Sequence, residues 1–202
     1  MMTPGFGVMS SKDKKEVMKK FLVLLVFALS TLTCFSQVRI SETGKEFIKQ
    51  QESCVLTAYW DTNGYSIGYG HHGKGVYKGM TITKKQADNF FNKDIVLVEK
   101  CVQDMIDDLP YKCVFSQGFI DGFVSFIYNV GPGNARKSTF YQRLKKCRVK
   151  NGIINEQDFE YAVSGIKLSI VRCTAHKQRR VGEYNLMKLP ETELRDVGYP
   201  RT

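Results

Sequence analysis

A single tetrapeptide, Asp61-Thr62-Asn63-Gly64, constrains this 202-residue chain more than any other feature. It separates two short runs, Val55–Trp60 and Tyr65–Tyr69, that are rich in tyrosine and β-branched residues. Asn-Gly readily takes the left-handed backbone that a tight hairpin loop demands, so the two runs predict a pair of antiparallel strands. A third short strand is expected near Val76–Met80, after a glycine-rich loop. The sheet stays small because the chain beyond Met80 has helical and not alternating periodicity.

Ser41 to Gln51 reads as a short helix, with Thr43 and Glu46 at capping-box spacing and Phe47 and Ile48 as its apolar face. Glu52 falls at its C-terminal end. Thr83 and Gln86 repeat the capping signal, and Ala87, Phe90, Phe91, Ile95, Val98 and Val102 then recur at helical spacing until Leu109-Pro110 breaks the run. Phe115 to Val130 is apolar nearly all round, which predicts a central buried helix ending at Gly131-Pro132-Gly133. Shorter helices are expected at Ser138–Lys146, Asn155–Val163 and Thr174–Met187. The fold class is α+β: a small antiparallel sheet beside a larger helical lobe, with a cleft where the two meet.

The N-terminal stretch has a different logic. Lys19 and Lys20 precede Phe21 to Thr33, an uncharged and mostly apolar run too short to span a bilayer as an ordinary helix. Small residues come next. This is the pattern of a signal peptide starting at Met18, with cleavage after Ser36 and residues 37–202 as the mature domain. Lipid attachment at Cys34 is the second option. Residues 1–36 hold five lysines and two acids, so +3 of the net charge of +10 lies there and +7 remains in residues 37–202. A basic exported domain attracts an anionic partner, such as a cell-wall polymer or anionic lipid, while export argues against nucleic acid. Arg136 to Lys150, with seven cations and no acid, is the densest part of that charge. Cys54, Cys101, Cys113, Cys147 and Cys173 lie beyond the leader, an odd number in a compartment that permits disulfides. None has a metal-ligand spacing, so no metal and no cofactor is expected. A monomer is expected.

The candidate chemistry is a pair of carboxylates, Glu52 at a helix end and Asp61 at the hairpin tip. Two carboxyl groups flanking one bond are what glycoside hydrolysis uses, one protonating the leaving oxygen and the other handling water or the developing positive charge. Spacing alone is weak, since a turn aspartate and a solvated glutamate look the same. The surrounding string is specific. Residues 52–71 read ESCVLTAYWDTNGYSIGYGH. This resembles the phage-type lysozymes, glycoside hydrolase family 24, whose pattern is roughly E-G-x-x-L-x-A-Y-x-D-x-x-G-x-x-T-I-G-Y-G-H. Glu52, Leu56, Ala58, Tyr59, Asp61, Gly64, Ile67, Gly68, Tyr69, Gly70 and His71 match. Gly79, Ile82 and Thr83, then Gln117 with SFIYNVGPG at 125–133, then Ser138-Thr139, and finally Arg179-Arg180 with Glu183 and Leu186 are similar to later segments of that family in the same order.

The resemblance implies a two-lobed lysozyme-like domain that cuts the β-1,4 bond between N-acetylmuramic acid and N-acetylglucosamine in peptidoglycan, with inversion. It implies Glu52 as general acid, Asp61 as the second carboxylate, and Ser66 in place of a threonine that positions the attacking water. His71 would be structural, paired with a carboxylate of the helical lobe. Tyr128 and Asn129 would offer stacking and hydrogen bonds to an N-acetyl sugar, with His72 and Thr139 as further substrate contacts. Arg179 and Arg180 either reach Glu52 across the cleft or are ordinary surface charges, with Arg180 taken as a structural residue near the site. An acid of this kind needs a raised pKa to hold its proton, whereas an aspartate in a polar turn stays ionised. Two departures stand out: Ser53 replaces a glycine, and only four residues separate Asp61 from Ser66, where the family commonly has five. A wall-binding module without activity and a glycosidase acting on chitin are the alternatives.

Overall fold

The structure, a computed structural model, describes residues 18–20, 37–169 and 174–188. The chain divides into two compact units, Met1–Gln37 and Val38–Thr202. The helices and strands that build the site all belong to the second. The apolar run Phe21–Thr33, Cys34, Ser36 and Cys173 lie outside the described residues. Among the described residues, no helix is long and apolar enough to cross a membrane, and Cys54, Cys101, Cys113 and Cys147 are free thiols.

Helix α1 (Glu42–Gln51) starts earlier than the expected cap. Its N-cap is Ser41, whose hydroxyl accepts the Gly44 N–H at 3.0 Å, and not Thr43. The reason is tertiary: Ser41 gives its N–H to the buried Asp121 carboxylate at 2.8 Å, which fixes the point of entry. Gly44 sits against the same carboxylate, where a Cβ would come within 2.6 Å of Asp121 Cγ.

The sheet comes next in the chain. β1 (Val55–Asp61) and β2 (Gly64–Gly68) form the expected hairpin, with Tyr59 opposite Ser66 and Asp61 opposite Gly64. The loop chemistry differs from expectation. The left-handed residue is Thr62 (φ 43°), and neither Asn63 nor Gly64 has positive φ. Gly64 is required for space: a Cβ there would meet the His72 ring at 2.6 Å. The third strand is also displaced. It is β3 (His71–His72), which pairs with β2, and not Val76–Met80. The expected segment instead turns twice and reaches the free edge of β1 only at its end, through Ala58 N–H to Met80 O and Ile82 N–H to Leu56 O, both 2.9 Å. Gly79 (φ 81°), inside that segment, turns its backbone out of the extended region.

Helix α2 (Lys84–Asp107) opens with the full Thr83/Gln86 capping box. Helix α3 (Gln117–Val130) is the axis of the lobe, with ten consecutive buried residues from Gly118 to Ile127. Around it come α4 (Pro132–Lys137), α5 (Thr139–Leu144), a small hairpin of β4 (Val149–Lys150) and β5 (Ile153–Ile154), α6 (Glu156–Ser164), a 3-10 turn (Gly165–Leu168) and α7 (Thr174–Lys188). Phe119, Phe123 and Phe140 are fully buried and stack edge or tilted against one another. Burial of each such ring is worth roughly 2–3 kcal/mol. Helix α7 is pressed into two other helices at once. A Cβ on Gly122 of α3 would strike Met187 Cγ at 2.6 Å, and one on Gly182 of α7 would strike the Phe47 ring of α1 at 2.7 Å.

Candidate active site

Glu52 is the residue on which α1 ends. Its N–H still bonds the Ile48 carbonyl at 3.0 Å, but its backbone is already extended, so the side chain leaves the helix at the seam with β1. A quarter of that side chain is exposed. Its Oε1 accepts from Arg179 Nη1 of α7. Arg179 is buried and saturated: Nε gives to Glu183 Oε1 at 3.1 Å and Nη2 to the Ser125 carbonyl at 3.1 Å. Arg180 takes a different direction. Its Nη2 gives to Asn129 Oδ1 at 2.7 Å, and its guanidinium lies 4.9 Å from the centre of the Phe126 ring. Of the two arginines, Arg179 is therefore the one on Glu52.

Asp61 closes β1 in the open, its Oδ1 accepting the Thr62 hydroxyl at 3.1 Å. Both acids act on Tyr59. Burial foremost, and then the charges of Asp61 and Glu52, push its hydroxyl above the usual phenol range, so both carboxylates act on one group. Ser66 lies opposite Tyr59 in mid-sheet and is almost wholly buried. Its Oγ is 3.2 Å from Nδ1 of the exposed His72, directly across on β3.

His71 points the other way. Its Nδ1 lies 2.9 Å from Asp94 Oδ2 of α2, and its ring stacks on Phe90 at 4.4 Å. Tyr128 donates to the Tyr69 carbonyl at 2.8 Å, tying α3 to the end of the sheet. Burial first, then Asp94 and Glu52, push that phenol far up. Thr139 is exposed at the start of α5 and lines a cavity of about 230 Å³ with Phe126, Val130 and Lys137.

Of the sequence-predicted residues, Glu52 is tied to α7 and Asn129 and Arg180 to each other, and Tyr128 lies within the field of Glu52. Ser66 and His72 form a pair on the sheet. Asp61 stands at the hairpin tip, and Thr139 at a cavity on α5. Sequence reasoning gave no role to Tyr59, Ser125 or Glu183, and did not identify Asp94 as the carboxylate beside His71. Tyr59 stood inside the motif string, and Arg179 and Glu183 at i, i+4 had the spacing that places two side chains on one helix face.

Comparison with known proteins gives the same picture. The family described as phage lysozyme matches residues 49–180. The endolysin of Bacillus phage PZA is 35% identical over 116 residues, covering 55% of this chain and 42% of that protein. The SAR-endolysin of Bacteriophage PS34 is 31% identical over 98 residues, covering 48% and 55%. The chain thus spans about half the length of the curated relatives it matches. Among solved structures, the endolysin from Escherichia coli O157:H7 phage FAHEc1 superposes with TM-score 0.61 at 25% identity, over 81% of this chain and 97% of that one. The muramidase domain of SpmX from Asticaccaulis excentricus has TM-score 0.62 at 22% identity, over 75% and 99%, a likeness of fold. With the Glu52–Asp61 string at the start of the matched region and the arginine pair of α7 at its end, the chain belongs to the phage lysozyme family.

Proposed function

We propose that this protein is a muramidase that hydrolyses the β-1,4 bond between N-acetylmuramic acid and N-acetylglucosamine in peptidoglycan. The observation that carries the reading is the setting of the two acids. Glu52 is held at the lobe seam by a buried guanidinium, Asp61 is free at the rim, and the same phenol feels both. Glu52 gives its proton to the leaving oxygen, and the carboxylate left behind is received by the Arg179 guanidinium. Asp61 answers the positive charge that develops on the sugar. The Ser66 hydroxyl, fixed by His72, holds the water, and the outer edge of His72 is left to a sugar. Tyr128 and Asn129 on the Glu52 side and Thr139 at its own cavity all serve as substrate contacts.

The leader at residues 1–36, starting at Met18 and cleaved after Ser36, carries residues 37–202 across the membrane to the wall. The +7 charge of the mature part draws it there, with Lys137, Lys146 and Lys150 exposed on one basic stretch. The decisive experiment is loss of turbidity of a purified cell-wall suspension, with new reducing ends as the chemical readout. Wild type is expected to clear the suspension and Glu52→Gln to leave it turbid. Equal clearing by both would overturn the assignment, and no clearing by wild type would leave a wall-binding module. Mass spectrometry of exported protein tests the leader. A mass that retains Phe21–Thr33 would refute cleavage.

A further inference from the structure

The seam behind Glu52 holds a carboxylate for which the reaction itself has no use. Glu183 of α7 has no exposed surface, and it is not left idle. Its Oε1 accepts the Ser125 hydroxyl at 2.8 Å and Arg179 Nε at 3.1 Å, and its Oε2 lies 3.1 Å from Arg180 Nε. Arg179 and Arg180 are adjacent in sequence and nearly inaccessible, with 4% and 1% of their side chains exposed. Two like charges packed this closely repel, and neither is hydrated, so a counter-charge between them is required for both to stay buried. From that one anchor the two guanidinium groups diverge, Arg179 to Glu52 and Arg180 to Asn129.

We propose that Glu183 is a positioning residue of the site: its buried carboxylate holds the two arginines in place and aims one at the Glu52 carboxylate and the other at the Asn129 amide. The proposal rests on the reading of Glu52 as proton donor. It makes α7 part of the site although α7 itself presents no group to the reacting bond.

Among the described residues, Glu183 has no other charged partner. From α3 it meets Ser125, with Asn129 one turn further on taking Arg180. From α1 comes only Glu52, through Arg179. From α6 and the 3-10 turn, Glu160 and Lys167 engage Tyr184 and Lys188 of α7 instead. Charge then predicts a sign. With Glu183 ionised, the two arginines and the two glutamates balance. Removing the charge of Glu183 leaves the two cations with Glu52, the partner of Arg179, as their one remaining counter-charge among these four groups, which favours loss of the Glu52 proton. The alkaline limb of the activity profile should therefore move to lower pH.

The test compares wild type, Glu183→Gln, Arg179→Lys and Glu52→Gln as full chains, by steady-state hydrolysis of purified peptidoglycan across pH together with thermal unfolding. Glu183→Gln should keep a cooperative melt, lose about tenfold or more in kcat with KM within about twofold, and shift its alkaline limb down by about half a pH unit or more. Arg179→Lys, which keeps the charge but lacks the fork needed to grip Glu183, Ser125 and Glu52 together, should lose kcat with little movement of the limb. A purely structural role would lower the melting temperature and leave the pH limb of the folded enzyme where it was. A folded Glu183→Gln with the wild-type kcat and limb overturns the proposal. If that variant does not fold, Arg179→Lys with wild-type kcat overturns it in its place. Glu52→Gln separates the two readings: full activity there removes the proton donor and the proposal with it, whereas inactivity there beside a wild-type Glu183→Gln removes only the positioning role.

Discussion

The hairpin and the α3/α7 seam hold their side chains in opposite ways. Along β1, Leu56, Tyr59 and Trp60 are 39%, 38% and 64% exposed, and Asp61 is open to solvent. Along α3, ten residues in succession are buried, and α7 lies so close that Gly122 has no room for a methyl group. Few buried contacts make local opening easy, whereas a close-packed interior transmits any strain placed on it. Glu52 belongs by its contacts to the packed side and Asp61 to the open side. A site built across such a boundary combines one rigidly held acid with one that moves with the hairpin.

The sharpest way to break this comparison is to remove the group that the packed side holds. Glu52→Gln is expected to keep the fold and lose about a thousandfold or more in hydrolysis, measured as reducing ends released. Next comes stability. Phe123→Ala in α3 should cost about 3–5 kcal/mol in denaturant unfolding, and Trp60→Ala on the hairpin about 0.5 kcal/mol or less. Comparable losses at the two positions would erase the contrast. Ser66 sits on the boundary, buried but on the sheet. Ser66→Ala should lose roughly tenfold to a hundredfold in kcat if the hydroxyl places the water. A wild-type rate would assign that task to backbone or to Tyr65.

The smallest effect concerns pH at a surface far from the boundary. Hydrogen bonds from the Arg148 side chain, then its backbone N–H, hold the Asp158 carboxyl down at about 2, against 3.8 for the free group. A depressed carboxyl stabilises the fold above its unfolded value, and that stabilisation is lost as pH falls through the folded value. Asp158→Asn should therefore melt slightly below wild type at neutral pH and together with it near pH 2. A gap that persists at pH 2 would show that the aspartate acts by something other than its charge.

Much of the fold was legible because it rests on local rules. The Thr83/Gln86 box, the apolar run that became α3 and the hairpin all come from short-range chemistry. The misreadings have tertiary causes. The helix at Ser41–Gln51 was expected, but Asp121, 80 residues away, makes Ser41 and not Thr43 its cap. His72, packing on Gly64, became the third strand in place of Val76–Met80. The β4–β5 hairpin was missed although Asn151 (φ 53°) and Gly152 (φ 76°) carry the same turn signal as the first. Helix α4 was hidden because Pro132 read as a stop, when proline is equally at home in the first turn of a helix. At the site, the motif string pointed to Glu52 and Asp61 as the candidate acids but could not choose between adjacent arginines. That choice depends on the helical phase at which α7 meets α3, which only packing decides.

The Glu52–Arg179 pair joins residues 127 positions apart. Ribosomes add roughly 5–20 residues per second, so on the order of 6–25 seconds separate the synthesis of the acid from that of its guanidinium. Over that interval the hairpin and α1 exist without the helix that completes the seam, and the long loop must close before the pair forms. Closure of this pair is a late event, timed by the order of translation: an incomplete chain carries Glu52 without the guanidinium that holds it.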